Sequence, residues 1–179
     1  MSGKGKVVRR VFKWAGLAVL AAAVWLSYRA YGIAQAVHSG SNLRELGGAL
    51  YVYANDHAGH YPDHLGDLLI DDPTLRPELF VVPWGLATPV GSGTPKERAE
   101  QLQYGHCSYV YLGAGRTVKD IGAEDVLMFE ADGLSPTGGI YCLYGDGHGE
   151  VDTAADAIQS IIATVTRANH PTTVPTTVP

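Results

Sequence analysis

The chain is poor in cysteine, in charge and in the motifs that mark catalytic centres. Its two cysteines, Cys107 and Cys142, cannot supply a four-thiolate zinc site. In an exported domain they are candidates for one disulfide, with two buried free thiols as the alternative. Charged residues make up only 17% of the 179 positions, and the net charge is −5. Beyond residue 13 there is no basic patch, which argues against nucleic acid as a partner. The sequence has no Gly-x-Ser-x-Gly elbow. Gly113-Ala114-Gly115 lacks the third glycine and the lysine of a phosphate-binding loop. Ser108 lies close to His106, but a catalytic triad is a spatial arrangement and proximity in sequence is no sign of one. A non-enzymatic protein is the expectation.

Long apolar runs are also scarce, and the one that exists is at the start. Lys4, Lys6, Arg9, Arg10 and Lys13 precede an apolar stretch at 14–28. At about 1.5 Å per residue this stretch covers roughly 22 Å, short of a ~30 Å hydrocarbon core. Arg29 interrupts it, but an arginine near a helix end can snorkel to the headgroups, and the following residues to Val37 are again mostly apolar. Trp14, Trp25, Tyr28 and Tyr31 suit the two interfacial belts. Three readings stand: a membrane-spanning anchor over 14–37, a signal peptide cut after Ala36 in Ala34-Gln35-Ala36, and a buried core helix. In the first two, the basic residues 1–13 stay in the cytoplasm and the rest is exported. The anchor reading places the chain in the inner membrane as a single-pass protein with the lipid bilayer as its first partner.

Residues 38–168 then form one domain. Leu43, Leu46, Gly47, Leu50, Tyr53, Ala54 and His57 recur at helical spacing and define one face. Asn42 with Glu45 reads as a capping pair, Ser39-Gly40-Ser41 as a kink after the anchor, and Gly59 with Pro62 as the stop. A short helical turn follows at 63–69. The proline-rich stretch from Pro73 to Pro95 reads as loop with one short strand at 79–82. Thr94-Pro95-Lys96-Glu97 is a helix start, with cap, first-position proline and third-position glutamate, for a helix reaching about Gln103. Strands are expected at 107–113, 125–131 and 139–145, rich in aromatic and β-branched residues. Asp146-Gly147 is a hairpin turn leading to a return strand at 148–151. Thr153 caps a last helix with Ala154, Ala157, Ile158, Ile161, Ile162 and Val165 inward. The Thr/Pro-rich tail 169–179 reads as disordered. The expected fold class is α+β: a long N-terminal helix, then a small antiparallel sheet packed on helices.

The segment 41–69, with Asn42-Leu43, Tyr53-Ala54-Asn55-Asp56, Gly59 and Tyr61-Pro62, resembles the region after the N-terminal helix in bacterial prepilin-like proteins, including the pseudopilins of type II secretion. Ser108-Tyr109-Val110-Tyr111 is similar to the family's Ser-Tyr-x-Tyr strand. Gly138-Gly139 and Asp146-Gly147-His148 are similar to its terminal hairpin. The resemblance covers roughly 41–152 in order and implies a pseudopilin-like structural or assembly component of a secretion or pilus-like envelope system. Other pseudopilin-like or envelope proteins are then its partners. The chain departs from the family at its N-terminus: the Gly-Phe-Thr-Leu-x-Glu processing junction is absent, and basic residues stand there instead. In the subfamily marked by a histidine ten residues before Asp-Gly, that position is Pro136 here. The junction's glutamate pairs with a neighbouring subunit's N-terminus in family filaments, so its absence argues against polymerisation by that route, and the absent processing glycine and phenylalanine imply an unprocessed protein.

Two clusters are candidates for metal. His148 and Glu150 alternate along a strand with Asp152, and Asp146 is adjacent. With Asp132, and with Glu124, Asp125 and Glu130 nearby in sequence, Asp146, His148 and Glu150 are candidate ligands of a divalent cation. Calcium is the candidate, because it takes six to eight oxygens and some pseudopilins hold it in a C-terminal loop. The competing reading is a solvated polar strand face with Asp146 serving the turn. His57, His60 and His64 have helical metal-pair spacing, but Gly59 and Pro62 interrupt any helix that would align them. An exported metal-binding or metal-dependent hydrolytic domain is thus the alternative function.

Overall fold

The computed structural model describes residues 3–131, 135–136 and 138–169. Helix α1 spans Gly3–Asp56, 54 residues without interruption and about 80 Å long at 1.5 Å per residue. The kink expected at Ser39-Gly40-Ser41 is not there. These small residues serve packing instead: a Cβ on Gly40 would lie 2.8 Å from a ring carbon of Tyr141, so only glycine lets the ring lie against the helix. Ser39 is fully buried and its hydroxyl donates to Glu130. Asn42 and Glu45 are likewise mid-helix rather than a cap. The Asn42 amide faces the carbonyls of Glu78 at 3.3 Å and Val81 at 3.4 Å, and Glu45 pairs with Arg76 at 2.7 Å.

After α1 come α2 at Asp67–Asp71, a 3₁₀ turn at Pro77–Phe80, and α3 at Pro95–Gln103. Helix α3 begins with the expected box: the Thr94 side chain accepts from the Glu97 N–H, and Glu97 accepts from the Thr94 N–H. The strand expected at 79–82 is replaced by the 3₁₀ turn. Pro77 opens that turn, and the segment makes a single backbone bond to the chain entering the first strand, from the Ser108 N–H to the Phe80 carbonyl at 2.8 Å, rather than a ladder. Leu79 and Phe80 still enter the core.

The sheet comprises β1 at Tyr109–Tyr111, β2 at Val126–Glu130, β3 at Gly139–Tyr144 and β4 at Gly149–Thr153, antiparallel throughout and in sequential order. The β3–β4 turn is the one read from Asp146-Gly147, with Gly147 at φ +87°, a conformation that favours glycine. Its tip is tied to α1, because the Tyr51 hydroxyl donates to the Gly145 carbonyl.

Each face of the sheet carries a core. The larger lies between the sheet and the C-terminal half of α1: Leu43, Leu46, Leu50 and Ala54 meet Tyr109, Leu127, Met128 and Leu143, with Leu68, Leu69, Leu79 and Phe80 closing the sides. The smaller lies under α4, Ala154–Asn169: Val126, Cys142 and Tyr144 pack on Ala157, with Phe129 and Ile161 at the margin. A register slip between Val126 and Met128 lets the consecutive Leu127 and Met128 both join the larger core, while Val126 and Phe129 serve the smaller. The buried line of α4 is narrower than its apolar pattern suggests. Ala157 and Thr164 are buried and Ile161 half-buried, while Ile158, Ile162 and Val165 face solvent. The Thr164 hydroxyl accepts from the Val126 N–H, which fixes this rotation of the helix.

Candidate functional site

The most exposed apolar surface belongs to the N-terminal half of α1. From Lys13 onward the helix contains a stretch long and apolar enough to cross a membrane, and none of that stretch is buried against the rest of the chain. Trp14, Leu17, Leu20, Trp25, Leu26 and Tyr28 are all largely exposed. Burial along α1 starts at Ala36 and Ser39 and then follows the Leu43/Leu46/Leu50 line. One helix therefore has two environments: a bare apolar rod, then a packed core helix. Exposed apolar area of this extent on a small protein marks a contact surface.

The polar residues proposed from sequence are dispersed into separate structural tasks. Asp146 and His148 do come together. The Asp146 carboxylate accepts from the His148 backbone N–H at 3.0 Å and lies 2.5 Å from its Nδ1. The imidazole stacks on Tyr144 with centroids 4.5 Å apart. These bonds from His148 hold the Asp146 carboxyl below its ordinary range. Glu150 and Asp152 follow on β4, opposite Cys142 and Ile140. Asp152 accepts from the Tyr144 hydroxyl. Asp132 lies outside the described residues. Among the described residues, no group of three or more His, Cys, Asp or Glu side chains is arranged to hold a metal ion.

Of the other carboxylates considered for calcium, Glu124 is exposed, while Asp125 and Glu130 are committed elsewhere. Asp125 is buried at the start of β2 and pairs with Arg167 of α4. It also lies 3.7 Å from Arg116 and accepts from the Gly122 N–H at 2.7 Å. It is a staple between α4 and the sheet, and a buried charge so compensated is not free for a cation. Glu130, also buried, accepts from Ser39 and, at 3.4 Å, from the Tyr141 N–H, so it joins α1 to the sheet. The histidine series is separated as well. His57 stacks on Tyr53 and faces Asp71 at 3.9 Å, His60 bridges to Thr117, and His64 offers its backbone N–H to Asp67.

The disulfide is not formed, and the topology explains why. Cys107 and Cys142 are not joined in a disulfide. Strand β2 stands between β1 and β3, and each neighbouring pair of strands is about 4.8 Å apart, so two steps already exceed the usual Cα span of a disulfide. The two residues also belong to opposite sides of the sheet: Cys107 packs on the α1 core and Cys142 within the α4 core. Burial, with Asp152 nearby, pushes the Cys142 thiol up to about 12.

Neither the Asp125 staple nor the Ser39–Glu130 junction was named by sequence reasoning. Their partners are 42 and 91 residues apart, and nothing local to either carboxylate signals the contact. No protein-family model, curated protein or solved structure matches the chain.

Proposed function

We propose that the chain is a single-pass inner-membrane protein whose exported domain is a non-enzymatic, pseudopilin-like structural or assembly component of a bacterial secretion or pilus-like envelope system. The observation that carries this reading is the division of α1 into a bare apolar half and a half packed under a four-stranded antiparallel sheet. The bare half suits lipid, and the basic residues at 4–13 suit the cytoplasmic side. The sequence phrases shared with prepilin-like proteins support the family part of the reading. Because the processing junction is missing, the protein stays unprocessed, as a monomer or small oligomer that docks against other pseudopilin-like proteins through the domain.

The test is N-terminal analysis of the protein isolated from membranes, combined with protease added to spheroplasts. The expected result is an uncut anchor and a digested domain. A protected domain refutes the topology. Polymers with this chain as major subunit, cut before Trp14, refute the unprocessed state.

A further inference from the structure

We propose that the domain has a second membrane contact besides α1: the uncharged loop at 83–89, which docks into the outer leaflet of the bilayer beside the exit of the helix. The proposal rests on the reading of α1 as a membrane span. Its evidence is the position and chemistry of the loop.

Position comes first. Counting about 20 residues for the hydrocarbon core from Trp14 places the exit near Ile33. Arg29, whose guanidinium carbon lies 5.7 Å from the centre of the Trp25 ring, marks the headgroup approach. A cavity of roughly 310 Å³ opens at this level. Tyr28, Tyr31, Gly32 and Gln35 of α1 line one side, and Pro83, Trp84 and Pro136 line the other. A Cβ on Gly32 would stand 3.2 Å from the Pro136 side chain, so Pro136 sits directly against the helix. The underside of the domain thus meets α1 where the bilayer ends.

Chemistry comes second. Leu86, at the loop tip, is 97% exposed. No charged residue occurs among the 17 positions from Leu79 to Pro95, between Glu78 and Lys96. Immersion of the loop therefore buries no charge of its own, the dominant cost of entering a membrane, and the histidine bonded to it, His106, meets it at Thr88, two residues from the Leu86 tip. Trp84 and the two α1 tyrosines are the residue types that settle at headgroup depth. An aqueous setting leaves Leu86 wet on all sides; a bilayer covers it and continues the apolar surface of α1 sideways. The occupant is lipid because the surface is continuous with the span itself.

The experiment uses the full chain in vesicles of phosphatidylcholine and phosphatidylglycerol, with ordinary or dibrominated acyl chains, and tryptophan fluorescence as readout. The first protein carries Leu86→Trp with the three native tryptophans replaced by phenylalanine. A second retains only Trp84, and a third only Trp25. Docking predicts loss of most intensity in brominated vesicles for all three, with blue-shifted emission for Leu86→Trp and Trp25; Trp84 packs against the core, so only its quenching counts. Quenching of Trp25 alone, with Leu86→Trp and Trp84 unquenched, overturns the docking while leaving the span intact. If Trp25 is unquenched too, the span falls and the docking with it. The second protein covers the case in which replacing Trp84 disturbs the fold.

Discussion

Leu50 is the most direct probe of how α1 joins the domain. Its side chain is fully buried, on the face that meets the sheet. Leu50→Ala deletes three carbons, worth about 2.4 kcal/mol at roughly 0.8 kcal/mol per buried CH₂. The cavity left behind adds to this, because the neighbouring Leu46 and Ala54 are held by the same helix and cannot close inward. About 3–4 kcal/mol is expected, within the ~2–5 kcal/mol range for buried leucines. For a domain of this size that lowers the melting temperature by roughly 10–15 °C. Val52, two residues away but 61% exposed, is the control, and Val52→Ala should change stability by less than about 0.5 kcal/mol. The assay is urea unfolding of a soluble domain beginning at His38, followed by circular dichroism, with thermal melts alongside. A loss below about 1 kcal/mol for Leu50→Ala, or equal losses for both variants, would refute the packing of α1 against the sheet.

Gly48→Ala, at an exposed helical position with nothing near the new Cβ, should stabilise the same domain by roughly 1 kcal/mol, whereas Gly145→Ala drives its Cβ into the Gly122 carbonyl oxygen and should destabilise it; melts that reverse this order contradict the geometry. Native-state alkylation should label half-buried Cys107 and spare Cys142, whose thiol is buried and raised to about 12; equal rates at neutral pH would count against the sheet placement. Hydrogen bonds depress the carboxyls of Glu97 and Asp146, so each stabilises the fold above its unfolded pKa and loses that contribution as pH falls through the folded one. The melting temperature should therefore hold through neutral pH and drop below about pH 4, less steeply in Glu97→Gln; a rise on acidification would contradict the assignment.

Much of the architecture was legible because the signals are local. Thr94 to Glu97 carry a complete capping box within four residues, and the box forms. Asp146-Gly147 specifies a tight turn, and the flanking residues pair as a hairpin. The leucine spacing of α1 reports the buried face because helical geometry converts period into direction. What sequence could not reveal depends on which distant segments meet. Ser39-Gly40-Ser41 looks like a break until the Tyr141 ring is known to lie there. The six apolar positions of α4 all read as inward until the Thr164 bond to Val126 turns three of them outward. The cysteines read as partners only while the intervening strand and the two faces are unknown. Of the candidate metal residues, the Asp146–His148 contact was foreseeable from a two-residue spacing within a turn. The commitments of Asp125 and Glu130 were not, since each is completed from another element.

The unbroken course of α1 has a mechanical consequence. The Ser39–Glu130 bond and the Gly40–Tyr141 contact grip the helix just past the bare segment, with no break before it. The bare segment and the domain therefore share one rotational setting. A single residue inserted between Arg29 and Ala36 would swing the domain by about 100° around the helix axis and lift it by about 1.5 Å. Seven inserted residues, close to two full turns, would restore the heading to within about 20° but raise the domain by roughly 10 Å. If α1 spans a membrane as proposed, the compass direction of the sheet over it, and its height above it, are counted out in residues of one helix.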